Sequence, residues 1–206
     1  YHVLGTDKVG QDVLYLAIKS VRTGLLIGVL TLLVMVPIAT TLGLLAGYFG
    51  GWLDDAIQYL YTTISSIPGV LLIAAAVLSL DLYLDQAATT ASLAERADLR
   101  LLALCAILGA TGWIGLCRLL RGETLKLREL EYVQAATALG VRPLTTLRRH
   151  LLPGVVHLIL ITAVIDFSGL VLAEAVLAYV GVGVDPSMTS WGNMINSARL
   201  ELARDP

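Results

Sequence analysis

The chain has 206 residues, of which 57% are hydrophobic and 15% are charged, whereas soluble domains are usually about 45 to 50% apolar and about 25% charged. Its 14 Lys and Arg against 16 Asp and Glu give a formal net charge of -2. The composition argues against a soluble globular fold, and the lack of net positive charge argues against a nucleic-acid partner. The two cysteines, Cys105 and Cys117, lie in apolar sequence and are predicted to be packing residues rather than a disulfide or a metal site.

Long stretches without charge predict helices that span a membrane. Residues 23–53 form a run of 31 uncharged residues and residues 56–80 another of 25, and each is longer than the about 20 residues that a span needs. Two further spans are predicted, one from the 17 uncharged residues 101–117 and one from residues 151–184, which only Asp166 and Glu174 interrupt. We therefore predict an all-α, polytopic membrane protein with one transmembrane domain over residues 1–206, with spans near residues 23–48, 57–80, 100–119 and 154–180.

The distribution of Lys and Arg predicts how these spans are oriented. Residues 118–150 carry seven cations, whereas residues 81–100 carry two cations and four acids. By the positive-inside rule, the loop 120–153 is cytoplasmic, and alternation then places residues 81–100 and both ends of the chain outside. Because four spans in a chain that starts at Tyr1 leave both ends on one face, we expect the sequence to be truncated at both ends.

Two prolines lie inside predicted spans, and Pro37 and Pro68 are each expected to kink the helix. Ser65 and Ser66 precede Pro68. Their hydroxyls are expected either to satisfy backbone groups that the proline frees or to face a polar path.

The cytoplasmic loop predicts a helix, a turn and a second helix. Residues 129–139 favour a helix, Gly140 stands where a C-terminal cap is expected, and Pro143 suits the first turn of the next helix. Pro153 is expected to mark the start of the last span. Small residues in this loop suit close docking of another protein, and the alternative is a solvated basic loop that only anchors its neighbours.

The loop resembles the EAA signature of ABC-importer permeases, in which Glu-Ala-Ala is followed at fixed spacing by Gly, Ile and Leu-Pro. The matching residues here are Gln134, Ala135, Ala136, Gly140, Leu152 and Pro153. Gln134 stands in place of the Glu and His150 in place of the Ile. The resemblance extends along the chain to the second permease of dipeptide and oligopeptide importers, through LGTDKVGQDVL, LGLLAGYFGGWLD, EYVQAATALG, RHLLP, LAEAVLAYVGVGVDP and SWGNMI.

This resemblance implies the type I permease fold of ABC importers, with about four of six core helices present and a cytoplasmic coupling helix. It implies a multi-pass protein of the bacterial plasma (inner) membrane, in contact with lipid, whose partners are a homologous second permease, two ABC ATPases and an extracytoplasmic solute-binding protein. ATP and Mg would be used by the ATPase, with no cofactor in this chain. The solute would be a peptide by default, or nickel or another small solute. The implied ATPase-coupling residues are Glu131, Tyr132, Gln134, Ala135, Ala136, Gly140, Pro143 and Pro153.

Other functions are weighed against this one. The Lys19-Ser20 pair has no preceding glycines, so a phosphate-binding loop is absent, and the scattered histidines do not suggest an enzyme. The main alternative is an ion- or proton-coupled transporter or a channel, because carboxyls inside a membrane often mark such pathways. Asp166 is otherwise expected to hydrogen-bond Thr162 or Ser168 or to face a second subunit. The candidate residues of a translocation path are Ser65, Ser66, Asp166 and Glu174.

Overall fold

The structure, a computed structural model, describes residues 2–7, 9–87 and 93–202, and the described elements are helical apart from one isolated bridge between Thr6 and Asp12. The helices are α1 (Val13–Phe49), α2 (Gly51–Ser65), α3 (Gly69–Ala87), α4 (Leu93–Gly112), α5 (Ile114–Leu127), α6 (Glu131–Ala138), α7 (Pro143–Thr146), a π-helical turn (Leu147–Leu151), α8 (Leu152–Val180) and α9 (Trp191–Leu202).

Three helical segments among the described residues are long and apolar enough to cross a membrane, and the number is four if the bent pair of α2 and α3 is counted as one span. This agrees with an all-α membrane fold, and the predicted four spans correspond to the count that includes the bent pair. The helices extend beyond the predicted spans, however. Helix α1 begins at Val13 rather than near residue 23 and continues through Pro37 without a break.

The predicted kink at Pro68 is a complete break. Helix α2 ends at Ser65 and α3 starts at Gly69, with a bend of 82° between the two helices. Proline disfavours helical geometry in the residue before it and removes a donor, so the helix ends instead of bending smoothly.

The helical run that contains the third predicted span, residues 100–119, extends from Glu95 to Leu127, with a break at Trp113. The predicted outer loop 81–100 is largely helical, since α3 continues to Ala87 and α4 begins at Leu93; its residues 88–92 lie outside the described residues. The predicted cytoplasmic loop, residues 120–153, likewise begins inside a helix. Leu116, Cys117, Leu120 and Thr124 are buried at helical spacing, so α5 continues to Leu127 before the loop starts.

The chain divides into two compact units. The unit formed by residues 32–69 and 109–166 has a core of buried side chains from α1, α2, α5 and the segment that follows α5. Its largest fully buried side chains include Met35, Leu116, Leu120, Val133, Leu151 and Val155. Cys117 lies in this core as a free cysteine, as predicted for a packing residue.

The other unit combines residues 1–31, 70–108 and 167–206. Here the first turns of α1 hold the loop that leads into α9: Thr23 Oγ1 donates to Thr189 O at 2.7 Å, and Trp191 Nε1 donates to Ala17 O at 3.1 Å. Cys105 is buried and free in this unit.

Candidate functional site

The predicted helix of the connecting segment is α6, Glu131–Ala138, and it ends in a glycine cap. Gly140 has φ +77°, Gly140 N donates to Thr137 O at 3.0 Å, and Val141 N donates to Ala136 O at 3.1 Å. This pair of bonds is the Schellman arrangement, which requires a left-handed residue that glycine adopts without strain. The prediction that Gly140 caps this helix is therefore confirmed.

Helix α6 has an inner and an outer face. Val133 and Ala136 are buried against the chain, whereas the other helical positions are exposed. The exposed residues include the predicted coupling residues Glu131, Tyr132, Gln134 and Ala135. Ala136 is only 9% exposed, so its methyl group packs mainly inward, and its predicted role in coupling stays a prediction. Ala135, Ala138 and Gly140 are the small exposed positions of this segment.

The segment after Gly140 leads directly into the last span. Pro143 is the first residue of α7, as predicted, and is exposed. Pro153 does not separate this segment from the span, because α7, the π turn and α8 form one helical run, Pro143–Val180. The π turn precedes a proline that lacks its own donor, and it buries Leu147 and Leu151 on one side. His150, at the departure from the signature, lies with its ring 6.1 Å from the Tyr132 ring.

An open cavity of about 670 Å³ lies beside α6, between it and the end of α1. Tyr48 and Phe49 line it from α1, and Val133, Gln134 and Thr137 line it from α6. The contribution of the end of α1 to this site could not be predicted from local patterns, because Tyr48 and Val133 are 85 positions apart along the chain.

Among the described residues, four of the seven cations that predicted a basic loop are engaged within the chain, and one of them, Lys126, donates through Nζ to Glu123 Oε2 at 3.0 Å. Arg121 Nη2 donates to Asp54 Oδ2 at 2.6 Å and Arg121 Nε donates to Asp54 Oδ1. Arg128 Nη1 donates to Gly47 O at 3.1 Å. Arg118 lies 4.6 Å from the Tyr61 ring centroid and donates to Ser65 Oγ at 3.2 Å.

The Asp54–Arg121 pair differs from an ordinary surface ion pair, which contributes about 0 to 1 kcal/mol. The two side chains are 12% and 23% exposed, and the guanidinium binds both carboxylate oxygens. Two-point contacts of this kind fix geometry as well as adding energy. Asp54 and Arg121 are 67 residues apart, so sequence patterns did not reveal them as partners.

The candidate path residues are not brought together into one described site. Ser65 accepts the bond from Arg118, and Ser66 Oγ donates to Thr63 O at 2.7 Å, which is the backbone role considered for these hydroxyls. Asp166 is half-buried near the middle of α8, and among the described residues none donates a hydrogen bond to its carboxylate. Bonds from Thr162 or Ser168 to Asp166, expected as one alternative, are not found there.

Glu174 is buried in a closely packed place rather than at an open surface. Its side chain is 3% exposed and lies beside Ser190 and the Gly192 backbone N–H at the start of α9. Glu174 Oε1 lacks a hydrogen-bond partner among the described residues. A Cβ atom on Gly192 would lie 2.9 Å from that oxygen, so only glycine fits here without a shift.

The loop over Glu174 contains a second carboxylate. Asp185 Oδ1 accepts hydrogen bonds from Ser187 Oγ at 2.6 Å and Ser187 N at 2.8 Å. Burial raises the pKa of Asp185, but the two bonds from Ser187 and the charge of Arg100 together lower it more, so the pKa lies below its usual value. Asp185 therefore stays ionised at neutral pH and holds the turn that precedes α9.

Comparison with known protein families matches residues 39–200 to the family described as binding-protein-dependent transport system inner membrane component. The chain belongs to this family. Membership confirms the resemblance to importer permeases, the type I permease fold and the location as a multi-pass protein of the inner membrane. It also confirms the predicted class, an inner-membrane component of a binding-protein-dependent transport system.

Individual relatives are similar over nearly the whole chain. The glutathione transport system permease protein GsiD of Pectobacterium atrosepticum is 33% identical over 205 residues, 100% of this chain and 62% of the relative. The oligopeptide transport system permease protein OppC of Mycobacterium tuberculosis is 31% identical over 194 residues, 94% of this chain and 62% of the relative. The dipeptide transport system permease protein DppC of Bacillus subtilis is 28% identical over 195 residues, 95% of this chain and 56% of the relative. The chain therefore spans less than two thirds of the length of these relatives.

Proposed function

We propose that this chain is the permease subunit of an ATP-driven ABC importer and that residues 129–143 are the contact through which a separate ATPase drives it. The observation that carries this proposal is the build of α6. An exposed outer face stands on a packed inner face, and the helix is ended by a glycine cap whose surroundings are open, with no atom within 4 Å of an added Cβ. Such a short helix, held firmly on one side and free on the other, suits insertion into a groove of a partner.

The same proposal names the other components. A homologous second permease would complete the translocation path, two ATPases would bind at the cytoplasmic face with their own ATP and Mg, and an extracytoplasmic solute-binding protein would deliver the solute. A binding protein is in the family's description. In an ATP-driven importer the ATPase would be a separate subunit, because the 206 residues contain no phosphate-binding loop.

We propose peptides or similar small solutes as the cargo. The support is the set of relatives, whose names give glutathione, oligopeptide and dipeptide transport. The candidate path residues remain Ser65, Ser66, Asp166 and Glu174. Asp166 has the strongest claim, because an ionisable side chain in a span with no described donor is expected to meet a solute or a second subunit.

Uptake by the complete importer, reconstituted in vesicles with its binding protein, tests the function. We expect uptake of a dipeptide to require ATP inside the compartment that holds the ATPases and to stop when ATP is replaced by a non-hydrolysable analogue. A proton gradient is maintained in both arms. Uptake that continues on the gradient alone would instead support the ion-coupled transporter and overturn this proposal.

A further inference from the structure

We propose that Asp54, Arg121 and Arg128 are positioning residues for coupling: they join the corner between α1 and α2 to α5, so that α6 moves together with α2, α5 and the adjoining part of α1. This inference rests on the proposed function of residues 129–143. It assigns a role to three charged residues that the coupling segment itself does not contain.

The first fastening is the Asp54–Arg121 pair. Asp54 lies in the first turn of α2 and is buried, and Arg121 lies in the middle of α5. Both carboxylate oxygens are bound by the same guanidinium. A planar two-point contact resists sliding and rotation of one helix on the other, which a single hydrogen bond does not.

The second fastening lies at the end of α5, where the connecting segment begins. Arg128 is the residue immediately after α5. Its Nη1 donates to Gly47 O in the last turn of α1, and its Nε donates to Glu129 Oε1 at 3.1 Å. The guanidinium therefore joins the end of α1 to the first residue of the proposed coupling segment.

Close backbone packing makes this corner stiff. Cβ atoms on Gly43 and Gly47 would lie 2.9 Å from Cys117 O and 2.6 Å from Thr124 Cβ. The absence of side chains at both glycines lets α1 approach α5 within backbone contact. The polar contacts of Arg121 and Arg128 thus add to the close backbone packing of α1 against α5.

Helix α6 is in turn anchored to the same core. Val133, Leu147 and Leu151 belong to the cluster of buried side chains that contains Leu120 of α5 and Ile57 of α2. A force applied to the outer face of α6 therefore reaches α5 through apolar packing. The Asp54–Arg121 pair and the bond from Arg128 to Gly47 O then transmit the force from α5 to the corner of α1 and α2.

The distinguishing measurement is the number of solute molecules taken up per ATP hydrolysed, in vesicles that contain the complete importer. A residue needed only for folding changes the amount of complex, whereas a positioning residue changes this ratio. We expect Asp54→Asn to keep the ATPases in the purified complex and to keep ATP hydrolysis, while the ratio falls by about tenfold, because the amide oxygen can accept only one of the two bonds from Arg121 and the carboxylate charge is lost.

Two further variants complete the test. Asp55→Asn makes the same change of charge one residue later, at an exposed position, and is expected to leave the ratio unchanged. Arg128→Gln removes the bond to Gly47 O at a site that is 34% exposed, so folding is spared. It should lower the ratio in the same direction, and it keeps the test decisive if Asp54→Asn fails to fold.

A normal ratio in Asp54→Asn, or in Arg128→Gln if Asp54→Asn yields no complex, overturns the inference. Loss of the ATPases from an otherwise folded Asp54→Asn permease also overturns it, because the pair would then serve docking rather than transmission. Failure of the proposed function has a different signature. A large substitution at Gly140 that leaves ATPase binding and uptake normal would contradict the coupling role of residues 129–143, whatever the ratio in Asp54→Asn.

Discussion

A Cβ atom added to Gly47 of α1 would lie 2.6 Å from Thr124 Cβ of α5 and 2.8 Å from Arg121 O. Backbone cannot yield cheaply at such distances, so Gly47→Ala forces the two helices apart. We expect a loss of about 1 to 3 kcal/mol in stability, the usual cost of overpacking. A lower midpoint in thermal melting of the purified importer would show it.

Gly122→Ala is the matched control for this change. Gly122 lies in α5, and an added Cβ would meet no atom within 4 Å. Alanine in a helix interior is more stable than glycine by about 0.5 to 1 kcal/mol, so the midpoint should stay the same or rise. Equal destabilisation by both substitutions would refute the contact between α1 and α5.

Gly140→Arg should leave membrane insertion of the chain unchanged, lower ATPase co-purification and abolish uptake. The large side chain projects from an open surface, and the left-handed backbone at φ +77° is unfavourable for any residue with a Cβ. Gly140→Asn is the control, since asparagine tolerates this backbone conformation and is smaller. It should retain more uptake than the arginine variant. Normal ATPase co-purification together with normal uptake in Gly140→Arg would contradict the coupling role of this segment.

Asp166→Asn should leave assembly intact and lower uptake, because the volume is kept while the ionisable group is lost. No described residue donates to this carboxylate, so a purely structural role lacks a partner that would explain it. Asp98→Asn, at an exposed position of α4, is the control. Uptake assays on complexes of equal yield decide the matter, and a rate equal to that of the control would assign Asp166 a structural role.

The predicted orientation can be tested with a cysteine placed at Thr145. Its side chain is exposed in the Arg-rich segment, and the two natural cysteines are buried, so background labelling is low. We expect an impermeant thiol reagent to label Thr145→Cys only after cells are made permeable, whereas Ser187→Cys should react in intact cells. The reverse pattern would invert the topology.

The turn before α9 should lose stability only in acid. The hydrogen bonds to Asp185 favour its ionised form and lower its pKa below the reference value of 3.8. Their contribution is fully present above that value and is lost as the pH falls through the lower pKa of the folded state. Proteolysis of residues 181–190 should therefore be unchanged from pH 7 to pH 5 and increase below about pH 4. Asp185→Asn should remove this pH dependence, and an unaltered profile in that variant would contradict the assignment.

Much of the fold could be predicted because its signals are local. The length of an uncharged run predicts a span, and a glycine or proline affects the backbone only within a few residues of its own position. The helix of the connecting segment, the cap at Gly140 and the first turn at Pro143 all follow from residues within a few positions of one another. The boundaries of the spans could not be predicted in the same way. Charged residues that sequence reasoning placed in loops, such as Arg121, lie inside helices because a distant partner compensates them.

The candidate site could likewise be predicted only where its features depend on neighbouring residues in the sequence. The inward direction of Ala136 depends on which face of α6 packs on the core, and a helix of eight residues has too few turns for periodicity to decide this. The role of Gly47 depends on α5, which is far along the chain. The glycine-rich segment that contains Gly47 resembles a family pattern in the sequence. The physical reason for a glycine at this position, its close approach to Thr124, is visible only in three dimensions.

No break separates the segment after Gly140 from the last predicted span, since Pro143–Val180 is one helical run. It has 38 residues, which at about 1.5 Å per residue is nearly twice the about 30 Å of the hydrocarbon layer. Pro143 and Asp166 therefore lie on the same helical run, with a π turn near the Pro143 end. A displacement of the segment after Gly140 is expected to reach Asp166, whose carboxylate accepts no hydrogen bond from a described residue, without an intervening loop.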